Sequence, residues 1–265
     1  MTVSAAPLPE TAPVYLYAVV AADCEDPMPP LRLIRRGDLA VAISPPPSPF
    51  VELAAQLKEG GTGGEGLSHL EEALMAHEGA IEGLRSSSVA PLRFGTTVAS
   101  SADVALLLEL NADSLRHSLA RVAGRAEWSV RVFTEEPAPA GPPEEPSAPR
   151  SGRAYLERRR RERSLVDEER HRREEAAAAI ESRLQDAGAE LAVLPESAGD
   201  REVEGRSLLL ACVCLAPREA EERLVAALEE AVKATGDARA ELTGPWPPYH
   251  FVSPLRLDDQ GGPLL

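Results

Sequence analysis

Continuous β-prone runs and helical stripes alternate along the chain. Val14 to Val20 is apolar at every position, which predicts a strand with both faces covered. Leu31 to Ile34 and Leu39 to Ser44 predict a hairpin around Arg36-Gly37-Asp38, ended by the prolines from Pro45 to Pro49. Residues 60–66 are too glycine-rich for a helix and read as a loop. From Ser68 to Leu84, Leu70, Ala73, Leu74, Ala80, Ile81 and Leu84 recur at helical spacing and predict one buried face. Val89 to Ala99 is strand-like. Asp103 is the expected cap of a second helix, with Val104, Leu107, Leu108, Leu115 and Leu119 as its apolar stripe. Glu127 to Thr134 predicts the last strand of this half, with Trp128, Val130 and Val132 alternating against polar neighbours. These elements predict an α+β layer with helices on one face of a sheet.

The pattern then breaks. Residues 135–150 are rich in proline and glutamate and read as a linker. A long helix is expected from Tyr155 to about Gln185, charged all round in its middle, with Glu157/Arg161, Glu168/Arg172 and Glu169/Arg173 placed to pair across one turn. Leu191 to Leu194 and Ser207 to Leu215 predict strands, Pro217 to Val232 a helix, and Ala240 to Thr243 a short strand. The expected organisation is a tail at 1–13, an α+β domain at 14–134, the linker at 135–150, a second α+β domain at 151–252 that opens with the long helix, and a tail at 253–265.

Charge and chemistry narrow the function. The 265 residues carry a net charge of −15, which opposes binding to nucleic acid or anionic lipid. No apolar run approaches a membrane span, and the N-terminus has neither the basic start nor the apolar stretch of a signal peptide. Three unevenly placed cysteines are no disulfide framework, so a reduced cytoplasm is expected. Cys212 and Cys214 read as small buried hydrophobes and Cys24 as a loop residue. The histidines show no metal-ligand spacing; His69 and His77 are eight residues apart on one helix. No serine elbow and no phosphate loop is present. From Ser151 to Glu175 nine arginines face seven acids, so the arginine run at 158–161 reads as part of a salt-bridged helix. No catalytic, cofactor or metal site is expected.

Two segments stand apart. Arg93 and Phe94 lie beside Gly95 in Pro91-Leu92-Arg93-Phe94-Gly95-Thr96, where Phe94 reads as core and Arg93 as the partner of a carboxylate or a helix end. Trp246, Tyr249 and Phe251 crowd Gly244 to Val252 in a chain that is only 4% aromatic. Its prolines predict an extended stretch, either a clasp across the domains or an exposed contact site. These five residues are the candidate partner-contact or structural set.

With the N-terminal Tyr15-Leu16-Tyr17-Ala18-Val19, Glu127-Trp128-Ser129-Val130-Arg131-Val132, Ser151-Gly152-Arg153-Ala154-Tyr155-Leu156 and Leu242 to Val252, these segments resemble the gas vesicle protein family GvpL/GvpF, in the family's order and across residues 14–252. The resemblance implies two α+β domains with ferredoxin-like features. It implies a non-enzymatic gas vesicle role, with no cofactor, for a minor vesicle component that binds the small shell protein GvpA and supports nucleation or prevents aggregation. Other gas vesicle accessory proteins are further implied partners, and the implied place is cytoplasmic and vesicle-associated. The competing expectation is a scaffold that gathers other assembly proteins without entering the wall.

Overall fold

The computed structural model describes residues 12–58, 64–84, 88–135, 152–194, 202–203, 206–236 and 238–256. Most of the N-terminal tail, part of the glycine-rich stretch, nearly all of the 135–150 linker and the end of the C-terminal tail lie outside the described residues. The elements run β1 (Val14–Ala21), β2 (Arg32–Arg36), β3 (Leu39–Ser44), α1 (Ser48–Lys58), α2 (Gly64–Glu82), β4 (Val89–Pro91), β5 (Thr97–Val98), α3 (Ser101–Leu110), α4 (Ala112–Val122) and β6 (Arg125–Glu135). They continue with α5 (Gly152–Asp186), β7 (Glu190–Val193), β8 (Glu202–Val203), β9 (Arg206–Pro217), α6 (Glu221–Thr235) and β10 (Ala238–Trp246). The chain is α+β with two antiparallel-rich sheets, ordered β2-β3-β1-β4 with β5 also on β1, and β10-β6-β9-β7 with β8 on β9.

Contacts divide the chain into two compact units, one of residues 1–126 and 246–265, the other Glu127–Pro245. The strand expected to close the first half is β6, and it belongs to the second sheet, between β10 and β9. Its alternating pattern specifies a strand but does not say which neighbours complete its hydrogen bonds.

In the first unit β1 is central, and its register explains its uniform apolarity. A bulge falls between Leu16 and Ala18 in the pairing with β3. Val14, Leu16 and Val19 therefore join Leu39, Val41 and Ile43 in one core, under Val104, Leu107 and Leu108 of α3 and Leu115 and Leu119 of α4. Tyr15, Tyr17, Ala18 and Val20 join Ala40, Ala42, Ile81 and Leu84 in a second core on the opposite face, with Phe50 against it. Helices cover both faces, not one. Ile81 of α2 lies on this second face, joined there by Phe50 of the unexpected helix α1. Ser48 and Pro49 begin it, and a proline in a first helical turn removes only an amide that has no helical partner. The proline run ends β3 and also leads directly into a helix.

Local corrections follow similar physics. Helix α2 starts at Gly64, inside the stretch read as a loop. The strand expected at 89–99 is two short strands separated by a turn at 92–96. The cap of α3 is Ser100, not Asp103: Ser100 Oγ accepts from the Asp103 amide at 3.3 Å and donates to its carboxylate at 2.8 Å. The single helix expected there breaks at Asn111 into α3 and α4.

In the second unit, Ile180 and Leu184 of α5 and Leu224, Leu228 and Ala231 of α6 are buried. Cys212 and Cys214 are buried in β9, and the neighbouring Cys212 thiol together with burial pushes the Cys214 thiol upward. Along α5, Glu157 pairs with Arg153 and Arg172 with Glu169, a partner one position from the one expected. Arg173 turns inward and donates to Ser207 Oγ at 2.9 Å and to the Leu208 carbonyl at 2.7 Å. No helix among the described residues is long and apolar enough to cross a membrane.

Candidate functional site

The turn between β4 and β5 is fastened to β1. The Leu92 amide donates to the Tyr17 carbonyl at 2.8 Å, and the Leu16 amide donates to the Thr96 carbonyl at 2.9 Å. The Thr96 hydroxyl closes the turn on the Arg93 carbonyl at 2.6 Å. Gly95 sits at φ +84°, where a side chain is strained, and its amide donates to the Tyr15 hydroxyl at 3.0 Å. That hydroxyl also lies 3.0 Å from His77 Nδ1, and His77 Nε2 lies 3.2 Å from the Leu92 carbonyl. A carbonyl only accepts, so Nε2 carries the imidazole proton and Tyr15 donates to Nδ1. Burial holds His77 below its ordinary pKa and pushes Tyr15 up to about 12. Phe50 and Phe94 meet edge to face, with Phe94 also edge-on to His77. Ala40 and Ala42 contribute only small side chains to this core, while Tyr15 and Tyr17 supply its rings.

The chain end lies against this turn. Beyond β10, Tyr249–Phe251 forms a single 3-10 turn instead of the expected extended stretch, and residues 244–246 are already strand. Phe251 is 1% exposed, with the Arg121 guanidinium 5.1 Å above its ring and donating to its carbonyl at 3.1 Å. The Ser253 amide donates to Ser118 Oγ at 3.0 Å and the Arg256 amide to Asn111 Oδ1 at 2.9 Å. Three extended residues span about 10 Å. So do the seven helical residues from Asn111 to Ser118, at about 1.5 Å each. The two rows of groups therefore match. Val252 and Leu255 pack on the α3/α4 core, and Tyr249 packs on the aromatic one.

Between turn and chain end lies a cleft of about 200 Å³, lined by Leu92, Arg93, Thr96, Tyr249, Val252 and Leu255 among others. The structure thus brings Arg93 and Tyr249 together. Arg93 is exposed at the cleft, and Phe94 is half-buried behind it. Phe251 is core, and Trp246, 42% exposed, ends β10. Asn111 and Ser118, both buried, were not singled out from sequence. Their signal is a polar residue at i and i+7 on a face otherwise occupied by leucine. Arg93 can supply a cationic donor, Thr96 and Ser253 sit beside apolar walls, and among the described residues no group of three or more metal-ligating side chains occurs.

The family model described as gas vesicle synthesis protein GvpL/GvpF matches residues 13–253. The chain belongs to the GvpL/GvpF family. Gas vesicle protein L of Streptomyces sp. (strain CB03234) is 34% identical over 231 residues, covering 84% of this chain and 83% of that protein. The fold is similar to two solved GvpF structures. That from Anabaena sp. PCC7120 has a TM-score of 0.58 at 18% identity, covering 91% of this chain and 96% of that one. That from Microcystis aeruginosa has a TM-score of 0.59 at 16% identity, covering 92% and 100%. In this GvpL/GvpF chain some of the segments that carry the resemblance pack together within each unit. Pro91 to Thr96 is bonded to Tyr15, Leu16 and Tyr17. At Gly244, φ +142°, an added Cβ would lie 2.9 Å from the Glu127 carbonyl and 2.9 Å from the Trp128 ring, so the closing segment is glycine there to let that tryptophan in.

Proposed function

We propose that this gas vesicle protein binds the small shell protein GvpA at the cleft between the Pro91–Thr96 turn and the returning chain end, and so supports vesicle nucleation or keeps the shell protein from aggregating. The observation that carries the reading is the cleft itself. Leu92, Val252 and Leu255 offer apolar contact, and Arg93 and Tyr249 offer polar tips, on a platform held by the His77 network and the Asn111 and Ser118 bonds. A small wall protein with a gas-facing side has an apolar face that associates in water unless covered. A carrier with a net charge of −15 keeps such a complex dispersed.

Co-expression with tagged GvpA tests this. The wild-type chain is expected to co-elute with the shell protein from the soluble fraction. Val252→Asp with Arg93→Glu is expected to lose co-elution while its unfolding transition stays cooperative. Equal recovery of the variant and the wild type would remove the cleft as the binding surface. Signal in floated, washed vesicles identifies a wall component, and clean vesicles identify a transient carrier. A scaffold for other accessory proteins draws instead on the exposed N-terminal half of α5; it predicts recovery of those proteins without GvpA.

A further inference from the structure

Charge is segregated along α5 in a way that its near-neutral total conceals. Six arginines (Arg153, Arg158 to Arg161, Arg163) face only Glu157 and Glu162 between residues 153 and 163, a local charge of +4. The chain is −15 overall, which leaves −19 on the remainder. Every described side chain from Arg153 to Glu168 is exposed, whereas Ile180 and Leu184 farther along the same helix are buried. Leu156, 60% exposed, lies on this bare stretch with Leu165 and Val166, also exposed. A stretch of helix with no packed face gains little from propensity alone and is stabilised by a partner.

Spacing specifies that partner. Arg153, Leu156, Arg160 and Arg163 follow a 3-4-3 rhythm and share one face. On α2, opposite the buried Ala73, His77 and Ile81, Glu71, Met75, Glu78 and Glu82 follow a 4-3-4 rhythm. Met75 is 66% exposed, Glu71 and Glu82 are exposed, and Glu78 is partly so. Laid parallel, the stripes set Arg153 against Glu71, Leu156 against Met75, Arg160 against Glu78 and Arg163 against Glu82. They span about 15 and 16 Å, and 3-4 seams pack at a shallow crossing angle. We infer that the basic stripe of α5 docks on the acidic stripe of α2 in a second copy of this chain. The interspersed glutamates and exposed apolar residues suit a protein surface better than a polyphosphate. Because the two patches differ, the contact either closes reciprocally into a dimer or propagates as an open chain.

Sedimentation velocity of the full chain from about 1 to 100 μM, in 50 and 500 mM NaCl, tests the assignment. A mass of two or more chains at low salt, falling toward one at high salt, is expected. R153E/R160E/R163E and E71K/E78K/E82K, each checked for native circular dichroism, are each expected to weaken self-association by about 100-fold or more. The two variants mixed are expected to associate again, since the acidic arm of one then faces the basic stripe of the other. A wild-type monomer at 100 μM in 50 mM NaCl overturns the inference. So does association that survives reversal of α2, or two folded variants that fail to associate on mixing.

Discussion

Tyr15 and His77 are polar groups tolerated in an apolar layer because each has a fixed partner on both sides. Burial shifts both titrations, in opposite directions, and both shifts favour the neutral form. An imidazole held below 6.5 in the folded chain takes up a proton more readily when unfolded. Stability is then full above pH 6.5 and declines as pH falls through the folded value. A phenol raised to about 12 gives full stability below pH 10, lost as pH rises from 10 toward 12. Urea titrations from pH 5 to 8 are expected to show the acid-side slope in the wild type and a smaller one in His77→Gln. The aromatic residues divide by burial. Phe251→Ala is expected to cost about 3–5 kcal/mol, as for any enclosed phenylalanine. Phe94→Ala, half-buried, is expected to cost about half as much, measured by the same titration. Phe94 reads as core from its apolarity alone. Its partial exposure depends on where Phe50 and the turn sit, which a local pattern does not encode.

Helix α5 combines two environments. Ile180→Ala is expected to cost about 2–4 kcal/mol. Leu156→Ala is expected to stay within about 0.5 kcal/mol in the monomer, where that side chain touches little. Thermal unfolding at low protein concentration and high salt separates the two. The existence of this helix is plain from its length and charge periodicity, and the central strands are plain from their β-branched runs. The boundaries are less so, for identifiable reasons. Proline suppresses the reading of α1 although its first turn admits proline, and Ser100 displaces Asp103 as cap because its hydroxyl both donates and accepts. Asn111 shows the same limit. In sequence it interrupts an apolar stripe; in the structure its side chain does not cap α4 but holds the Arg256 amide and donates to the Leu107 carbonyl in the last turn of α3 at 2.9 Å. Asn111→Ala takes the acceptor from the Arg256 amide and one of two donors from the Leu107 carbonyl, which keeps the backbone amide of residue 111, and is expected to cost about 0.5–1.5 kcal/mol. Hydrogen exchange is expected to accelerate at Arg256 before it does at β1.

Across the whole molecule the least legible property was which strands share a sheet. Alternation in β6 is clear from Trp128, Val130 and Val132, but its partners are β9 and β10, far along the chain. The cleft was half legible. Arg93 and Tyr249 stood out as unusual, and only the fold shows that residues so distant in sequence line one space. A chain ending at Pro245 would lack Tyr249, Phe251, Val252 and Leu255. It is expected to lose protection from exchange in α4 and β4 while β7 and β9 keep theirs. The return of residues 246–265 to the first unit also sets an order in time. Roughly 120 residues separate the two pieces of that unit, so a ribosome adding about 5–20 residues per second delivers the second piece on the order of 10 s after the first. The cleft comes into being only after residues 249–255 have followed the intervening unit out of the ribosome. A chain released before this segment has no finished cleft to offer, so the segment certifies that everything between the two pieces has been made.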